Sequence, residues 1–311
     1  MATFGRQEVV ANSKPAVPQS CLFDVTSGLV VSISNDKWDE WDGWGGAFAG
    51  GAEGRRQDLS VDLPLTEFDP TSPALLNPRP PALTEALPTR VVLCFFPELL
   101  ATLGADRGAR PIGRFSRETG GGQIFVVDHR EVPVAVFHPG VGAPLAILHM
   151  EQAIAAGGRA FVACGGAGAV EPGLALGHVV VPNGAVRDEG TSFHYAPPSR
   201  QIHADLGAVT VATTVLQERE IPFTVGTTWT TDAPHRETTD RIRARRTEGC
   251  VTVEMETAAF LAVSAFRHTR FVQFLYAGDD VSGQAWDHRA WTTADARPQL
   301  LDLALDTAIR P

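Results

Sequence analysis

From Arg90 onward the chain alternates short apolar runs with stretches of helical spacing. The runs are Val91 to Phe96, Ile124 to Val127, Val132 to Phe137, Phe161 to Cys164, Val179 to Val181, Phe223 to Val225 and Phe271 to Tyr276. They are rich in β-branched residues, which pack well on a pleated surface, so they read as strands. Helical patterns lie between several of them: Pro144 to Ala156, Leu206 to Glu218, Thr239 to Glu248 and Met255 to Phe266. A last helix runs from about Pro298 to Ile309. Strands alternating with helices predict an α/β domain with a mixed or parallel sheet wrapped on both faces. A site in such a sheet lies beyond the carboxyl ends of the strands, which selects the loops to inspect.

The first sixty-odd residues follow another pattern. SNDKWDEWDGWGGAFAGGAEGRRQD mixes Trp, Asp and Gly without strand or helix periodicity, and a Pro-rich stretch follows to Pro88. Trp38, Trp41 and Trp44 are three apart and fit one face of a short helix. A flexible tail or an arm laid over the domain is the plainer reading. The organisation expected is therefore an extension over 1–64 and one α/β domain over 65–311.

Composition narrows the partners. Lys and Arg total 26 against 36 Asp and Glu, a formal charge of −10, which is a poor background for a polyphosphate strand. No polymeric nucleic acid is expected. Cys21, Cys94, Cys164 and Cys250 form no C-x-x-C pair and read as small buried hydrophobes in a reducing compartment. Neither a signal peptide nor an apolar run of about 18 residues is visible, so the expectation is a cytoplasmic protein without membrane contact.

Two segments carry chemistry. CGGAGAVEPG follows the Phe161 to Cys164 run and reads as a Gly-rich loop. Its Gly165, Gly166, Ala167 and Gly168 would let backbone amides approach an anion or a sugar face. Glu171 stands where a dinucleotide fingerprint needs its third Gly, and G-K-[ST] is absent, so dinucleotides and triphosphates are disfavoured. In VTVEMETAAF a strand or turn ends at Val253, and a helix opens with Glu254, Met255 and Glu256. A carboxylate in a first helical turn stays ionised and accepts well, which suits a ribose diol. Simple decoration of a helix N-terminus is the competing reading. No H-E-x-x-H spacing or G-x-S-x-G elbow is present, so neither a metal nor an organic cofactor is expected.

These residues resemble the superfamily of uridine phosphorylases, purine nucleoside phosphorylases and related nucleosidases. HPGVGAP (His138 to Pro144), CGGAGAVEPGLALGHVVVPNGAVRDEG (Cys164 to Gly190), GTTWTTDAPHRET (Gly226 to Thr238) and VEMETAAF occur in the family's order. The resemblance spans about Leu65 to Pro311 and implies a partly barrel-like sheet and a homo-oligomer. It places the ribose-binding glutamate at Glu256, the methionine packed on the sugar at Met255, and a less direct glutamate at Glu254. LYAGDD puts Asp279 where purine-cleaving members hydrogen-bond or protonate the base, with Asp280 as its neighbour alternative. The Gln of the uridine branch is missing from DAPHRET, which also leans toward a purine.

The departures concern the nucleophile. Where phosphorylases carry G-D-P-x-R after the first strand, this chain reads CFFPELL, and Ala163 fills a second Arg position. A phosphate dianion is held less well by amides alone than by amides with guanidinium. Arg107, Arg110, Arg114 and Arg117 could restore that charge, or form a solvated basic loop. Arg187, in the RDEGTSFHY segment with His194 and Tyr195, is a further candidate at the pocket rim. Glu98 could instead position water, as acidic residues near the first strand do in nucleosidases. The leading expectation is a purine-preferring nucleoside phosphorylase with phosphate as co-substrate. A hydrolytic nucleosidase and a non-catalytic nucleoside-binding protein are the alternatives.

Overall fold

The computed structural model describes residues 63–115, 122–289 and 296–311, together with two short paired strands at Leu22–Phe23 and Val30–Val31. The chain divides into two compact units, Met1–Val61 and Asp62–Pro311. Trp38, Trp41, Trp44, Cys21 and Arg117 lie outside the described residues.

The larger unit is α/β. Its strands are β1 (Ala82–Leu83), β2 (Arg90–Cys94), β3 (Arg110–Arg114), β4 (Gln123–His129), β5 (Val132–Phe137), β6 (Ala160–Ala169), β7 (Val179–Asp188), β8 (Gln201–His203), β9 (Phe223–Thr231), β10 (Cys250–Glu254) and β11 (Arg270–Asp280). Its helices are α1 (Pro97–Arg107), α2 (Ala143–Ala155), α3 (Leu206–Glu218), α4 (Thr239–Thr247), α5 (Thr257–Phe266) and α6 (Ala296–Ala308). The sheet order is β8-β7-β9-β10-β6-β2-β5-β4-β3-β1, and β11 pairs both β6 and β7. That double pairing closes β6, β11, β7, β9 and β10 into a five-stranded barrel-like ring.

Strand β6 belongs to both halves. Ala160 to Cys164 pair in parallel with β2, while Gly168 and Ala169 pair antiparallel with β10. Strands covered on both faces can be apolar throughout, and Val91 to Cys94 and Val134 to Phe137 are accordingly fully buried. Cys94 and Cys164 sit opposite each other in that core as free thiols, and burial pushes the Cys164 thiol up, with Cys94 adding to it. Asp306 of helix α6 is buried and ties it to the β4–β5 turn and the end of α3, accepting from His129 (2.6 Å), Arg130 (3.0 Å) and Arg219.

Three local expectations need correction. CGGAGA is not a loop, because β6 continues through Ala169 and Gly165 to Ala167 pair with Leu275 to Ala277 of β11. Part of that backbone is therefore committed to the sheet. The basic stretch before the second apolar run is not a plain loop either: it contains the end of α1 and all of β3. Finally, Glu254 ends strand β10, and α5 begins only at Thr257 with Glu256 as its N-cap. No helix among the described residues is long and apolar enough to cross a membrane.

Candidate active site

A cleft of about 590 Å³ opens where β6, β10 and β11 end. Gly166 to Gly168 form its floor, Glu254 and Met255 one end, and Asp279 with Trp286 the other. The turn after β9 closes a side with Pro234, His235 and Glu237. The glycines of β6 are needed for ring packing. A Cβ on Gly165 would lie 3.2 Å from the Phe95 ring, and one on Gly166 3.1 Å from Tyr276.

At the first end the carboxylates are wired into the backbone. Glu254 Oε1 accepts from Thr230 Oγ1 (2.6 Å), and Oε2 accepts from the N–H groups of Glu256 and Thr257 (2.7 Å each). It therefore satisfies donors of the first turn of α5 that have no partner within the helix. Glu256 Oε1 accepts from Gly142 N–H at 2.5 Å. Gly142 has φ 91°, a conformation open to glycine and costly for other residues, so the loop before α2 is shaped for this bond. Glu256 is 6% exposed and is not among the side chains that line the cleft.

Burial, and then the charge of Glu254, push Glu256 up to about 8 against the pull of the Gly142 and Met255 N–H groups. Burial likewise raises Glu254, although its three donors favour the charged form. Two adjacent buried carboxyls cannot both ionise cheaply, and the better hydrogen-bonded Glu254 keeps the charge. Burial beside a like charge thus works against the helix N-terminus, which on its own would favour an ionised Glu256.

The second end is more open. Asp279 Oδ2 accepts from Trp286 Nε1 at 2.6 Å, and a Cβ on Gly168 would lie 3.5 Å from its Oδ1. Asp280 turns away: it caps Ser282 N–H (2.7 Å) and pairs with Arg289 (2.8 Å). Burial would raise Asp280, but the Ser282 bonds and Arg289 together hold it below the ordinary range. Of the two aspartates only Asp279 faces the cleft. Glu237 shares the space, pushed up to about 7 by burial and by the charge of Asp279, with Arg241 opposing.

The cations expected near the nucleophile are dispersed. Arg187 is spent on its own loop, donating to Ser192, Ser199 and the carbonyls of Ala196 and Pro197. Arg107 pairs with Asp302, and Arg110 with Glu85 and Asp128. Arg114 ends β3 and is not among the lining residues. Glu98 sits in the first turn of α1 and accepts from Arg297 at 2.6 Å. Burial would raise Glu98, but the Arg297 bond and charge, a backbone N–H and His138 together hold the carboxyl below its ordinary range. Arg297 also donates to Tyr276 Oη (3.2 Å) on the cleft floor.

Of the residues that sequence reasoning singled out, Glu254, Met255, Asp279, Gly166, Ala167 and Gly168 line one cleft, whereas Glu256 and Gly165 are not among its lining residues. That reasoning missed Glu237, Trp286, Tyr276 and Arg297. Glu237 stood inside DAPHRET and Trp286 in an irregular segment, neither with a periodic signal, and Arg297 is 199 residues from Glu98. Among the described residues no group of His, Cys, Asp and Glu could hold a metal ion.

Comparison with known proteins adds a lineage to this geometry. A uridine phosphorylase of Treponema pallidum (strain Nichols) is 28% identical over 151 residues, 45% of this chain and 58% of that one. A guanosine phosphorylase of Halorubrum lacusprofundi is 27% identical over 125 residues, 40% of this chain and 52% of that one. The chain thus spans little more than half the length of these relatives. A crystal structure of AMP nucleosidase from Bacteroides thetaiotaomicron shares the fold with a TM-score of 0.58 at 20% identity, covering 71% of this chain and 87% of that one. The model of the phosphorylase superfamily matches residues 89–310, the whole cleft included, and the chain belongs to that family.

Proposed function

We propose that this protein cleaves the N-glycosidic bond of a purine nucleoside, with phosphate as the acceptor. One observation carries the reading: a single cleft sets Glu254 and Met255 opposite Asp279, on strands that flank Gly166 to Gly168 from either side, with Glu256 buried next to them. A sugar diol at the corner would draw on carboxylate acceptors, and a base at Asp279 would leave with developing negative charge. Glu256, raised in the free protein, would ionise as the two hydroxyls approach. Asp279 without a uridine-type Gln favours a purine over the pyrimidine read by the uridine phosphorylases among the relatives. Phosphate would use amides of the β6 strand, with Arg297 behind Tyr276 supplying charge. The same reading carries a cytoplasmic location, a homo-oligomeric state and no cofactor beyond phosphate.

A second reading, hydrolysis, rests on a specific observation: the described residues lining the cleft include neither Arg nor Lys. Water needs no such charge. A panel of purine and pyrimidine nucleosides, incubated with and without phosphate, separates the two by product. Ribose 1-phosphate formed saturably with phosphate supports the first, and free ribose at full rate without phosphate supports the second. Tight nucleoside binding without release of base would leave only the binding-protein reading.

A further inference from the structure

The cleft holds a second carboxyl beside Asp279. Glu237 follows the short turn Pro234–Arg236 after β9 and lines the same space. Trp286 commits one oxygen of its neighbour. Its indole N–H donates to Asp279 Oδ2 at 2.6 Å, and a donor to a carboxyl favours the charged form over the neutral one. Two carboxyls lining one cleft share a proton more readily than both ionise. Asp279 has the indole donor and, among the described residues, the Glu237 carboxyl has no hydrogen-bond donor, which places the shared proton on Glu237.

We propose that Glu237, and not Asp279, is the acid that protonates the departing base, with Asp279 as the ionised partner that keeps Glu237 loaded. The inference rests on the glycosidic reading above and assigns the proton within it. As the bond from the sugar carbon to the base nitrogen breaks, its electron pair passes to the base. The Glu237 proton moves onto the base nitrogen, and the phosphate or water oxygen bonds to the sugar carbon, water releasing one proton to solvent as it does so. The Glu237 carboxylate then stands beside Asp279 and regains a proton from solvent through the open cleft.

The surrounding charges agree with this assignment. Asp279 on β11 raises Glu237, Arg241 on α4 opposes it, and burial is the largest contribution. Arg241 is itself tied to Asp188 at 2.5 Å, which limits its pull. His235 and Arg236 belong to the same turn, Asp232 closes the end of β9, and Glu254 stands across the cleft.

The test is kcat/KM against pH for the purine nucleoside that the panel identifies, with 4-nitrophenyl riboside as a substrate whose leaving group needs no proton. The wild type should lose nucleoside cleavage as pH rises through about 7, where Glu237 sheds its proton. Glu237→Gln should erase that descending limb and slow the nucleoside about 100-fold, while the nitrophenyl riboside loses far less. Asp279→Asn should move the limb to lower pH, since no charge then holds the proton on Glu237. A Glu237→Gln enzyme with wild-type rate and limb overturns the proposal, as does a limb erased by Asp279→Asn alone. A carbon-13 NMR titration of the Glu237 carboxyl in the wild type tests the same point without turnover. A midpoint in the ordinary carboxylate range would refute it even if glycosidic cleavage is established. An enzyme that releases base from no nucleoside would instead sink the glycosidic reading itself.

Discussion

The two ends of the cleft hold carboxylates in opposite ways. At the Glu254–Glu256 corner the hydrogen bonds tie the carboxylates to backbone or to a buried hydroxyl: Thr230, Gly142, and the first N–H groups of α5. At the Asp279 end the partner is an exposed indole, Trp286, 58% accessible, on an irregular segment. A corner built into a helix start and a strand end moves only if the fold moves. An end closed by side chains from loops can be retuned without disturbing the core. The corner should therefore couple catalysis to stability, and the open end should change catalysis alone.

The largest effect expected is at Glu254. Glu254→Ala strands the Thr230 hydroxyl and two N–H groups in a buried site, at a cost of roughly 4 kcal/mol of stability. Denaturant unfolding should show a lower midpoint together with lost activity. Loss of activity at unchanged stability would mean that the corner is not part of the scaffold.

Glu256→Gln comes next and should separate the two properties. It removes a carboxylate proposed to hold the sugar, costing about 2–4 kcal/mol in kcat/KM. Stability should respond in the other direction, and with pH. The folded carboxyl is raised to about 8, so it binds its proton more tightly than the unfolded chain does. That contribution is fully present below the unfolded value near 4.5 and is lost as pH rises through about 8. Wild-type stability should fall between those limits by on the order of 4 kcal/mol, and Glu256→Gln should flatten the slope. A wild-type stability that rises over the same window would overturn the pairing of Glu254 with Glu256.

How legible each end was in the sequence follows from the same contrast. Glu254, Met255 and Glu256 are contiguous, so one short motif exposes the whole corner. The order of strands and helices was equally readable, since apolar runs such as Val132 to Phe137 coincide with β5. The Gly-rich stretch misled because Gly165 and Gly166 signal a turn by composition. Here they instead make room for Phe95 and Tyr276 within a strand. Likewise the charge state of Glu256 depends on burial and on a like charge, which a helix-dipole argument cannot supply. The open end is assembled from Glu237, Asp279 and Trp286, drawn from three segments. No local pattern marks their meeting, and only the closure of β11 onto β6 and β7 brings Asp279 to the cleft.

The smallest effect should come from Trp286, and it tests the contrast from the open side. Trp286→Phe keeps a ring at the mouth of the cleft but removes the N–H that Asp279 accepts. One hydrogen bond to a charged acceptor, partly exposed and replaceable by water, is worth about 1 kcal/mol, or roughly fivefold in kcat/KM. The unfolding midpoint should stay where it is, because no buried donor is stranded. Nucleosides should feel the loss and 4-nitrophenyl riboside should not, since the bond acts on the proton at the base. A variant that unfolds as easily as Glu254→Ala would show that the Trp286 segment is as much a part of the scaffold as the α5 start, and the two ends would then differ in exposure alone.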